Sequence, residues 1–245
     1  MPTKLTLAAL TIAATALAGC QDDKADPAQP ATGRAASSAS AATGIAVLSA
    51  DEIMQQARAT LTAAKSFRVK GNVRQGGQQT RIDVKVSRTG FISSMSIGKA
   101  EVKLISVDGK KYLRANEQFW IVATDARQGK ALARGIGDRW VAGADTDQSF
   151  ANLFAIGSAD RLFKPEGALS KGEEKQIGGV PAIALKDAGD PGTTFYVATT
   201  GEPYPLQMTG TDGSVMKFSD FGASFTDLEA PTAGKVVDLG QLTGD

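Results

Sequence analysis

The sequence predicts an α+β fold, namely a single, strongly curved antiparallel β-sheet with helices across one face. An amphipathic helix comes first in the folded part of the chain. Most of the chain after this helix alternates apolar and polar residues in short runs separated by turn residues, which is the pattern of neighbouring strands. A stretch between residues 125 and 165 breaks this alternation and favours helices.

The first helix is predicted over residues 50–65. Ser49 and Glu52 have the spacing of a capping box, in which the serine caps the first turn and the glutamate bonds back to it. Ile53, Ala57 and Leu61 follow at helical spacing, so one side of the helix is apolar. The alanines of this helix favour close packing on a sheet.

Strand patterns occupy both halves of the domain. The first half reads as a meander that ends with an apolar run at residues 119–122, and strands resume at residue 173. Turns as short as Gly76-Gly77 and Asp108-Gly109 join antiparallel neighbours, because parallel strands need a long crossover. Since no change of composition separates the halves, we expect one domain over residues 49–245.

The residue inventory excludes several classes of protein. The chain has 27 Lys and Arg, 26 Asp and Glu, no histidine and a single cysteine. Without histidine it cannot form a His-containing catalytic triad, a zinc site with His ligands or a His general base. The balanced charge lacks the basic excess of a nucleic-acid-binding protein. We therefore expect no catalytic residues, no cofactor, no metal site and no nucleic-acid partner.

Residues 1–19 have the features of a signal peptide. Lys4 is the one charge in this stretch, and an apolar run from Leu5 to Leu17 follows. The run has the length of a signal-peptide core and is too short to span a bilayer, which needs about 20 residues. It ends in Leu17-Ala-Gly-Cys20, which resembles the bacterial lipobox at all four positions.

The lipobox resemblance implies that the Cys20 thiol receives a diacylglycerol and that the chain is cut before this residue. Two acyl chains make a stable anchor where one is marginal. We therefore expect an extracytoplasmic protein, held by lipid at the outer face of the cell membrane. The alternatives are an ordinary secretory leader with a chance cysteine and an anchor that is never cleaved.

Residues 20–48 are predicted to form the lipidated cysteine and a flexible tether. The segment is rich in Ala, Ser, Thr, Pro, Gly and Asp and has almost no large apolar residue before Ile45. Such a composition cannot bury enough surface to offset the entropy of ordering. A flexible chain of this length has a typical reach of roughly 30 Å.

Several segments of the folded part carry a resemblance to a known family. They are residues 111–120, Arg139-Trp140-Val141, residues 216–222 and Ala230-Pro231. Together with the lipobox, the spacer and the first helix, they resemble the actinobacterial LppX/LprG lipoprotein family, which shares the fold of the carriers LolA and LolB. The resemblance covers residues 49–240. It implies an open half-barrel with helices on its concave face, and an acylated lipid or glycolipid bound between sheet and helices.

A cavity between sheet and helices would be lined by the apolar side of the strands. The alternation pattern predicts these lining residues: Phe67, Val69, Val84, Val102, Leu104, Phe119, Leu206, Met208 and Phe218. For each of them the alternative is a place in an ordinary packed core. An acyl chain in such a cavity would gain about 25 cal/mol per Å² of buried apolar surface, and it needs no polar chemistry.

Three functions remain open at this point. The resemblance implies an envelope carrier or chaperone that binds acyl lipid or glycolipid. The alternative is a non-enzymatic sensor or protein-interaction module on the same fold, with a closed core and an outer face that binds an unknown protein. The third is an enzyme that uses carboxylates, or serine and lysine alone.

Overall fold

The computed structural model describes residues 44–75, 77–144, 148–158 and 162–243. The predicted signal peptide, Cys20 and most of the predicted tether lie outside the described residues. Within the described ranges, no helix is both long and apolar enough to cross a membrane.

Twelve strands of the described chain form one open sheet. In chain order they are β1 Ser66–Gln75, β2 Gln78–Ser87, β3 Gly90–Ile97, β4 Ala100–Val107, β5 Lys110–Ala115, β6 Trp140–Ala142, β7 Leu169–Ile177, β8 Val180–Asp187, β9 Thr194–Ala198, β10 Pro205–Thr209, β11 Val215–Ser219 and β12 Val236–Asp238. Their order across the sheet is β12-β6-β5-β4-β3-β2-β1-β11-β10-β9-β8-β7. Neighbours are antiparallel except β12, which runs parallel to β6. The predicted α+β class with one sheet is confirmed, and the sheet is antiparallel except for the β12–β6 pair.

Short helices accompany the sheet. The α-helices of the described chain are α1 Ala50–Ala63, α2 Glu117–Ala123, α3 Ala126–Ile136, α4 Gln148–Ala151 and α5 Leu239–Thr243, and the 3-10 helices are Gly44–Val47, Asn152–Gly157 and Ala233–Lys235. α1 packs on β1, β7, β9 and β10, α2 packs on β4, and the 3-10 helix Asn152–Gly157 packs on β2, β3 and β4. We call this side of the sheet the helix-bearing face and the other side the opposite face.

The alternation that predicts the strands puts every second side chain on the helix-bearing face. A row of directly paired residues crosses the middle of this face: Val69, Val84, Ser93, Leu104, Leu113 and Val141. All of them are at most 1% exposed. Full burial of such an aliphatic side chain contributes about 1.5–3 kcal/mol, so this row is the centre of the core, and Ser93 is its one polar member.

Helix α1 begins as the capping box predicts. The backbone N–H of Ser49 donates to Glu52 Oε2 at 2.8 Å, and the backbone N–H of Glu52 donates to Ser49 Oγ at 3.3 Å. These bonds satisfy backbone donors that the start of a helix leaves free. Ile53, Ala57 and Leu61 are buried, as their spacing predicts.

Residues 119–122 were expected in a strand but lie in helix α2. The cause is Asn116, which follows β5 and caps the helix by accepting the Phe119 N–H at 2.9 Å. The same side chain accepts the Glu101 N–H at 3.1 Å and donates to the Lys99 carbonyl at 2.8 Å. One asparagine therefore ends the meander, starts α2 and ties it to the turn before β4.

The stretch 125–165 contains helices, as expected, but Trp140 and Val141 form strand β6 instead. This short strand pairs with β5, where Val141 lies opposite Leu113. Val141 is fully buried on the helix-bearing face, so β6 extends the core by one strand.

Residues 44–48 lie against the domain, although the sequence assigns them to the tether. Ala46 is buried, and Ile45 and Leu48 pack against the main core. The Lys171 ammonium on β7 donates to the carbonyls of Ala46 at 2.9 Å and Leu48 at 3.0 Å. The packed part of the chain thus begins before residue 49.

The chain after β11 crosses the opposite face of the sheet before it reaches β12. Asp227 accepts a hydrogen bond from the Lys85 ammonium at 2.6 Å. Leu228 and Val236 pack on an apolar cluster of the opposite face, formed by Ile105, Val107, Tyr112 and Trp140. This crossing segment covers apolar residues that the helices on the other side cannot reach.

Candidate functional site

Most of the predicted cavity residues lie in the main core. Six of the nine are at most 5% exposed: Phe67, Val69, Val84, Val102, Leu104 and Phe218. The rings of Phe67 and Phe218 are 6.5 Å apart, and Phe163 packs edge-on against Phe218 at 5.4 Å. In this conformation these six side chains fill the space between sheet and helices, which is the packed-core alternative that the sequence left open.

The other three predicted residues have different places. Leu206 packs with a small cluster on the opposite face, around Tyr196, so its predicted place on the apolar inner side is wrong. The reason is a register shift between Pro205 and Gln207, where a β-bulge interrupts the period of two. Met208 is half-buried and borders a separate hollow of about 370 Å³. The remaining residue, Phe119, lines an apolar pocket.

Burial on the helix-bearing face decreases toward one end of the sheet. Along β3, Phe91 and Ser93 are buried, Met95 is half-buried and Ile97 is 44% exposed. The alternating residues of β1 and β2 show the same decrease in the same direction. We call this region the open end of the sheet, because the helices leave its apolar side chains partly uncovered.

An apolar pocket of about 310 Å³ lies at the open end. Its wall combines the ends of β2, β3 and β4 with α2, α4 and the 3-10 helix Asn152–Gly157. The lining residues are Gln78, Ile97, Ala100, Phe119, Val122, Ala123, Phe150 and Leu153. Gln78 is the one polar side chain among them, so the pocket offers hydrophobic contact and almost no hydrogen bonding.

Two large apolar side chains of this pocket are exposed to solvent. Ile97 is 44% exposed and Val122 is 71% exposed. Single exposed apolar residues are common on protein surfaces, but these two lie on the same pocket. An apolar ligand in the pocket would remove part of both from water.

A cluster of aromatic rings forms the inner wall of the pocket. Phe119 and Phe150 line the pocket with their rings 6.3 Å apart. Behind them Trp120 is fully buried, and its indole packs edge-on against Phe119 at 5.5 Å and Phe150 at 5.8 Å. Such T-shaped pairs contribute about 0.5–1.5 kcal/mol beyond their buried area, so the three rings hold α2 and α4 together.

The opposite face carries a second, polar hollow of about 470 Å³ over β1 to β4. Lys70, Arg81, Lys103, Asp83 and Glu101 are its charged residues. The hydrogen bonds from the Arg68 guanidinium, at 2.5 and 2.7 Å, hold the pKa of Asp83 below its usual value. Charges of both signs thus surround this hollow, although carbon atoms contribute most of its exposed surface.

The sequence predicted one lining residue of the apolar pocket, Phe119, and missed the others. Phe150 and Leu153 belonged to a predicted helical stretch, and their helical spacing indicates only that they share a face. Ile97 ends a strand and carries no sequence signal for exposure. Among the described residues, no group of acidic or other ligating side chains could hold a metal ion.

Comparisons with known proteins give fold neighbours only. No protein-family model and no curated protein sequence matches the chain. LprF from Mycobacterium bovis has a TM-score of 0.46 at 13% identity, over 75% of this chain and 97% of that one. An uncharacterized conserved protein from Thermus thermophilus has a TM-score of 0.39 at 13% identity, over 77% and 98%. MucB in complex with MucA(peri) has a TM-score of 0.34 at 14% identity, over 75% and 59%. With TM-scores below 0.5, none of these likenesses bears on the function of this chain.

Proposed function

We propose that this chain is an envelope lipoprotein of the LppX/LprG type that binds the acyl chain of a lipid or glycolipid, as a carrier or chaperone without catalytic activity. The observation that carries the proposal is the apolar pocket at the open end of the sheet, with exposed Ile97 and Val122 on its wall. Its volume of about 310 Å³ lies at the lower end of the range for ligand pockets, which is about 300–1,000 Å³.

Hydrophobic burial supplies the affinity in this proposal. Each methylene group that leaves water contributes about 0.8 kcal/mol, and the loss of ligand freedom reduces the sum. The half-buried Met95 and Ile82 continue the apolar surface of the open end along β3 and β2. A chain that fills the pocket and follows this surface would bury more than the pocket alone.

The same proposal places the protein at the outer face of the cell membrane. Support comes from the lipobox at Cys20 and the apolar run that precedes it. The wild-type protein purified from membranes is expected to carry the mass of a diacylglyceryl-modified mature chain, whereas a Cys20→Ala variant keeps its leader and gains no lipid. An unmodified chain that starts at residue 1 in both would refute the anchor.

The ligand test uses the two tryptophans of the chain as separate reporters. Trp120 lies behind the pocket wall, whereas Trp140 lies on the opposite face, with the Arg114 guanidinium over its ring at 4.8 Å. Bromine quenches tryptophan emission only at close approach. In a Trp140→Phe variant of the soluble domain, dibrominated stearate is expected to quench the emission of Trp120.

The matched control is the Trp120→Phe variant, in which the remaining Trp140 is expected to stay unquenched. Native mass spectrometry of the soluble domain after mild extraction should in addition show the mass of a co-purified acyl lipid. Absence of quenching in both variants, together with the bare protein mass, would overturn the carrier proposal.

A second candidate function is a protein-interaction module, and the polar hollow on the opposite face favours it. Its exposed Lys103 and Arg81 lie beside Glu101 and Asp83, a mixture that suits a polar polypeptide. A photo-crosslinking residue at Ser94 in this hollow would then capture a defined protein in the cell envelope. As the control, the photo-crosslinking residue placed at position 173, where Glu173 lies on the edge strand β7, would capture no defined protein. Equal capture from both positions would count against this candidate.

A further inference from the structure

A row of mostly basic side chains crosses the opposite face of the sheet. Direct pairing between neighbouring strands defines this row, whose members from β11 to β5 are Lys217, Lys70, Asp83, Ser94, Lys103 and Arg114. We call it the cationic row. Its middle four members line the polar hollow, and its three lysines are exposed. The chain as a whole has nearly equal numbers of basic and acidic residues, so the row is a local excess of positive charge.

Two pairs of like charge lie directly opposite each other in this row. Lys70 pairs with Lys217 across β1 and β11, and Lys103 pairs with Arg114 across β4 and β5. Like charges directly opposite each other destabilise a sheet. Lys70 lies 3.9 Å from the Asp83 carboxylate. Neither Lys103 nor Lys217 has an ion pair among the described residues, so a repulsion remains at both ends of the row.

A third pair of like charge shows what these two pairs lack. Arg68 and Lys85 are direct partners across β1 and β2, next to the cationic row. The Arg68 guanidinium donates to both oxygens of Asp83, at 2.5 and 2.7 Å. The Lys85 ammonium donates to Asp227 of the crossing segment at 2.6 Å. Here the protein supplies one carboxylate for each cation, whereas the two pairs of the cationic row share only Asp83, which Arg68 already engages. Carboxylates from outside the described chain would fit these two pairs.

We propose that the cationic row is the docking surface for an extended, acidic polypeptide segment of a partner protein. This inference rests on the protein-interaction candidate, since it assigns a chemistry to the partner of the same hollow, and it is independent of acyl-chain binding. Neighbouring strands lie about 4.8 Å apart, so Lys70 on β1 and Lys103 on β4 are separated by roughly 14 Å. An extended chain rises about 3.3 Å per residue, so acidic residues about four positions apart would reach both charged pairs.

A polypeptide fits the cationic row better than an anionic membrane surface does. Glu101 lies in the polar hollow, two positions before Lys103 and on the same side of β4. Asp83 lies in the row itself, between the two cationic pairs. A bilayer of anionic lipids presents negative charge to both carboxylates, whereas a polypeptide can place neutral or basic residues there. Carbon atoms contribute most of the exposed surface of the hollow, which suits the apolar parts of side chains.

The test uses the chain from residue 21 onward, which keeps every described residue. Fluorescein-labelled oligoglutamate is the probe, oligoglutamine of equal length is the neutral control, and fluorescence anisotropy measures binding at low salt. The variant with Lys103→Glu and Lys217→Glu, which changes one cation in each pair, is expected to bind oligoglutamate about tenfold more weakly than the wild type. The matched control carries Arg127→Glu and Lys130→Glu at exposed positions of α3. It has the same net charge as the row variant and should bind as the wild type does.

A single substitution tests the repulsion separately from binding. Lys217→Glu puts a carboxylate opposite Lys70, and cross-strand pairs of opposite charge stabilise a sheet. This variant is expected to unfold at a higher urea concentration than the wild type at low salt, while it binds oligoglutamate more weakly. It therefore decides the question even if the double variant does not fold. An unchanged or lower unfolding midpoint would contradict the repulsion from which the proposal starts.

The remaining outcomes separate this inference from the protein-interaction candidate. Equal affinity of the wild type and the row variant for oligoglutamate would overturn the inference. Association with phosphatidylglycerol vesicles, without binding of oligoglutamate, would assign the row to a membrane and overturn it as well. If a photo-crosslinking residue at Ser94 captures the same protein in the wild type and in the row variant, the candidate stands and the acidic partner is refuted. If it captures none, the candidate fails and the inference fails with it.

Discussion

The indole of Trp120 packs edge-on against the ring of Phe150, with 5.8 Å between the ring centroids. Both rings belong to the buried core, and Phe150 also lines the apolar pocket. The position of α4 is therefore coupled to that of α2 through an aromatic contact. A ligand that displaces Phe150 would act on the packing of Trp120, which makes tryptophan emission a direct reporter of binding.

Ile97→Asp is expected to weaken binding of methyl hexadecanoate by roughly tenfold or more, because it places a charge on the apolar pocket wall. The free energy of unfolding should change little, since Ile97 is 44% exposed. Isothermal titration or competition with a brominated lipid measures the affinity. Val47→Asp is the matched control, since Val47 is 62% exposed and lies outside the pocket. Equal losses of affinity in both variants would show that the pocket does not bind the acyl chain of the ligand.

Ser93→Ala is expected to stabilise the free protein by about 1 kcal/mol, because it removes a buried hydroxyl that has no partner among the described residues. Urea unfolding of the two proteins measures the difference. Ser66→Ala is the control, since Ser66 is equally a buried strand serine but donates to the Ala223 carbonyl at 2.7 Å. That variant should lose stability, and a loss of similar size in Ser93→Ala would mean that its hydroxyl is satisfied in solution.

Asp187 gives a prediction for acid stability. Burial by itself raises the pKa of this carboxyl, but the backbone N–H donors of Glu166, Gly189 and Gly167, at 2.7 to 2.9 Å, outweigh burial and lower the pKa. A carboxyl with a lower pKa in the folded state stabilises the fold above its unfolded-state pKa, and this contribution is lost as the pH falls through the folded pKa. Wild-type stability should therefore decrease in acid, below about pH 4.

Asp187→Asn is expected to cost about 1–3 kcal/mol at pH 7, because the amide nitrogen cannot accept from a backbone N–H. Its stability should also depend less on pH in the acid range than that of the wild type. Asp138→Asn, at an exposed position after α3, serves as the control and should change neither quantity. If the stability of the wild type and of Asp187→Asn decreased equally as the pH falls, the Asp187 carboxyl would not be the source of the acid sensitivity.

Gly129 lies where α3 packs on α2, and a Cβ added there would lie 2.5 Å from the Cα of Ile121. Gly129→Ala is therefore expected to destabilise the protein by about 1–3 kcal/mol, although alanine is the better helix former. Gly135→Ala, on the exposed side of the same helix, should instead be neutral or stabilising. Thermal unfolding of both variants shows whether each substitution raises or lowers the stability of the protein. A stabilising Gly129→Ala would show that α2 can move away from α3.

The strands and the first helix could be predicted because their signals are local. The capping box of Ser49 and Glu52 and the alternation in β1 to β4 depend on neighbouring residues alone. Helix α2 could not be recognised, since a short apolar run does not distinguish strand from helix. Its start depends on Asn116, whose side chain also bonds to Glu101 and Lys99, 15 and 17 positions earlier.

The candidate site was predicted less well than the fold. Alternation identifies which strand residues face inward, and it placed Val69, Val84 and Leu104 on the correct face. It cannot tell which inward residues the helices leave uncovered, so Ile97 was missed. It also fails at a bulge, which is why Leu206 was assigned to the wrong face.

Strand β1 lies between β2 and β11, so its two neighbours come from opposite halves of the chain. Val69 pairs with Phe218, about 150 positions later. A growing polypeptide thus leaves one edge of β1 without a partner until nearly all of it has been synthesised. Contacts between such distant positions slow folding. Completion of the sheet around β1 is therefore a late step in the folding of this protein.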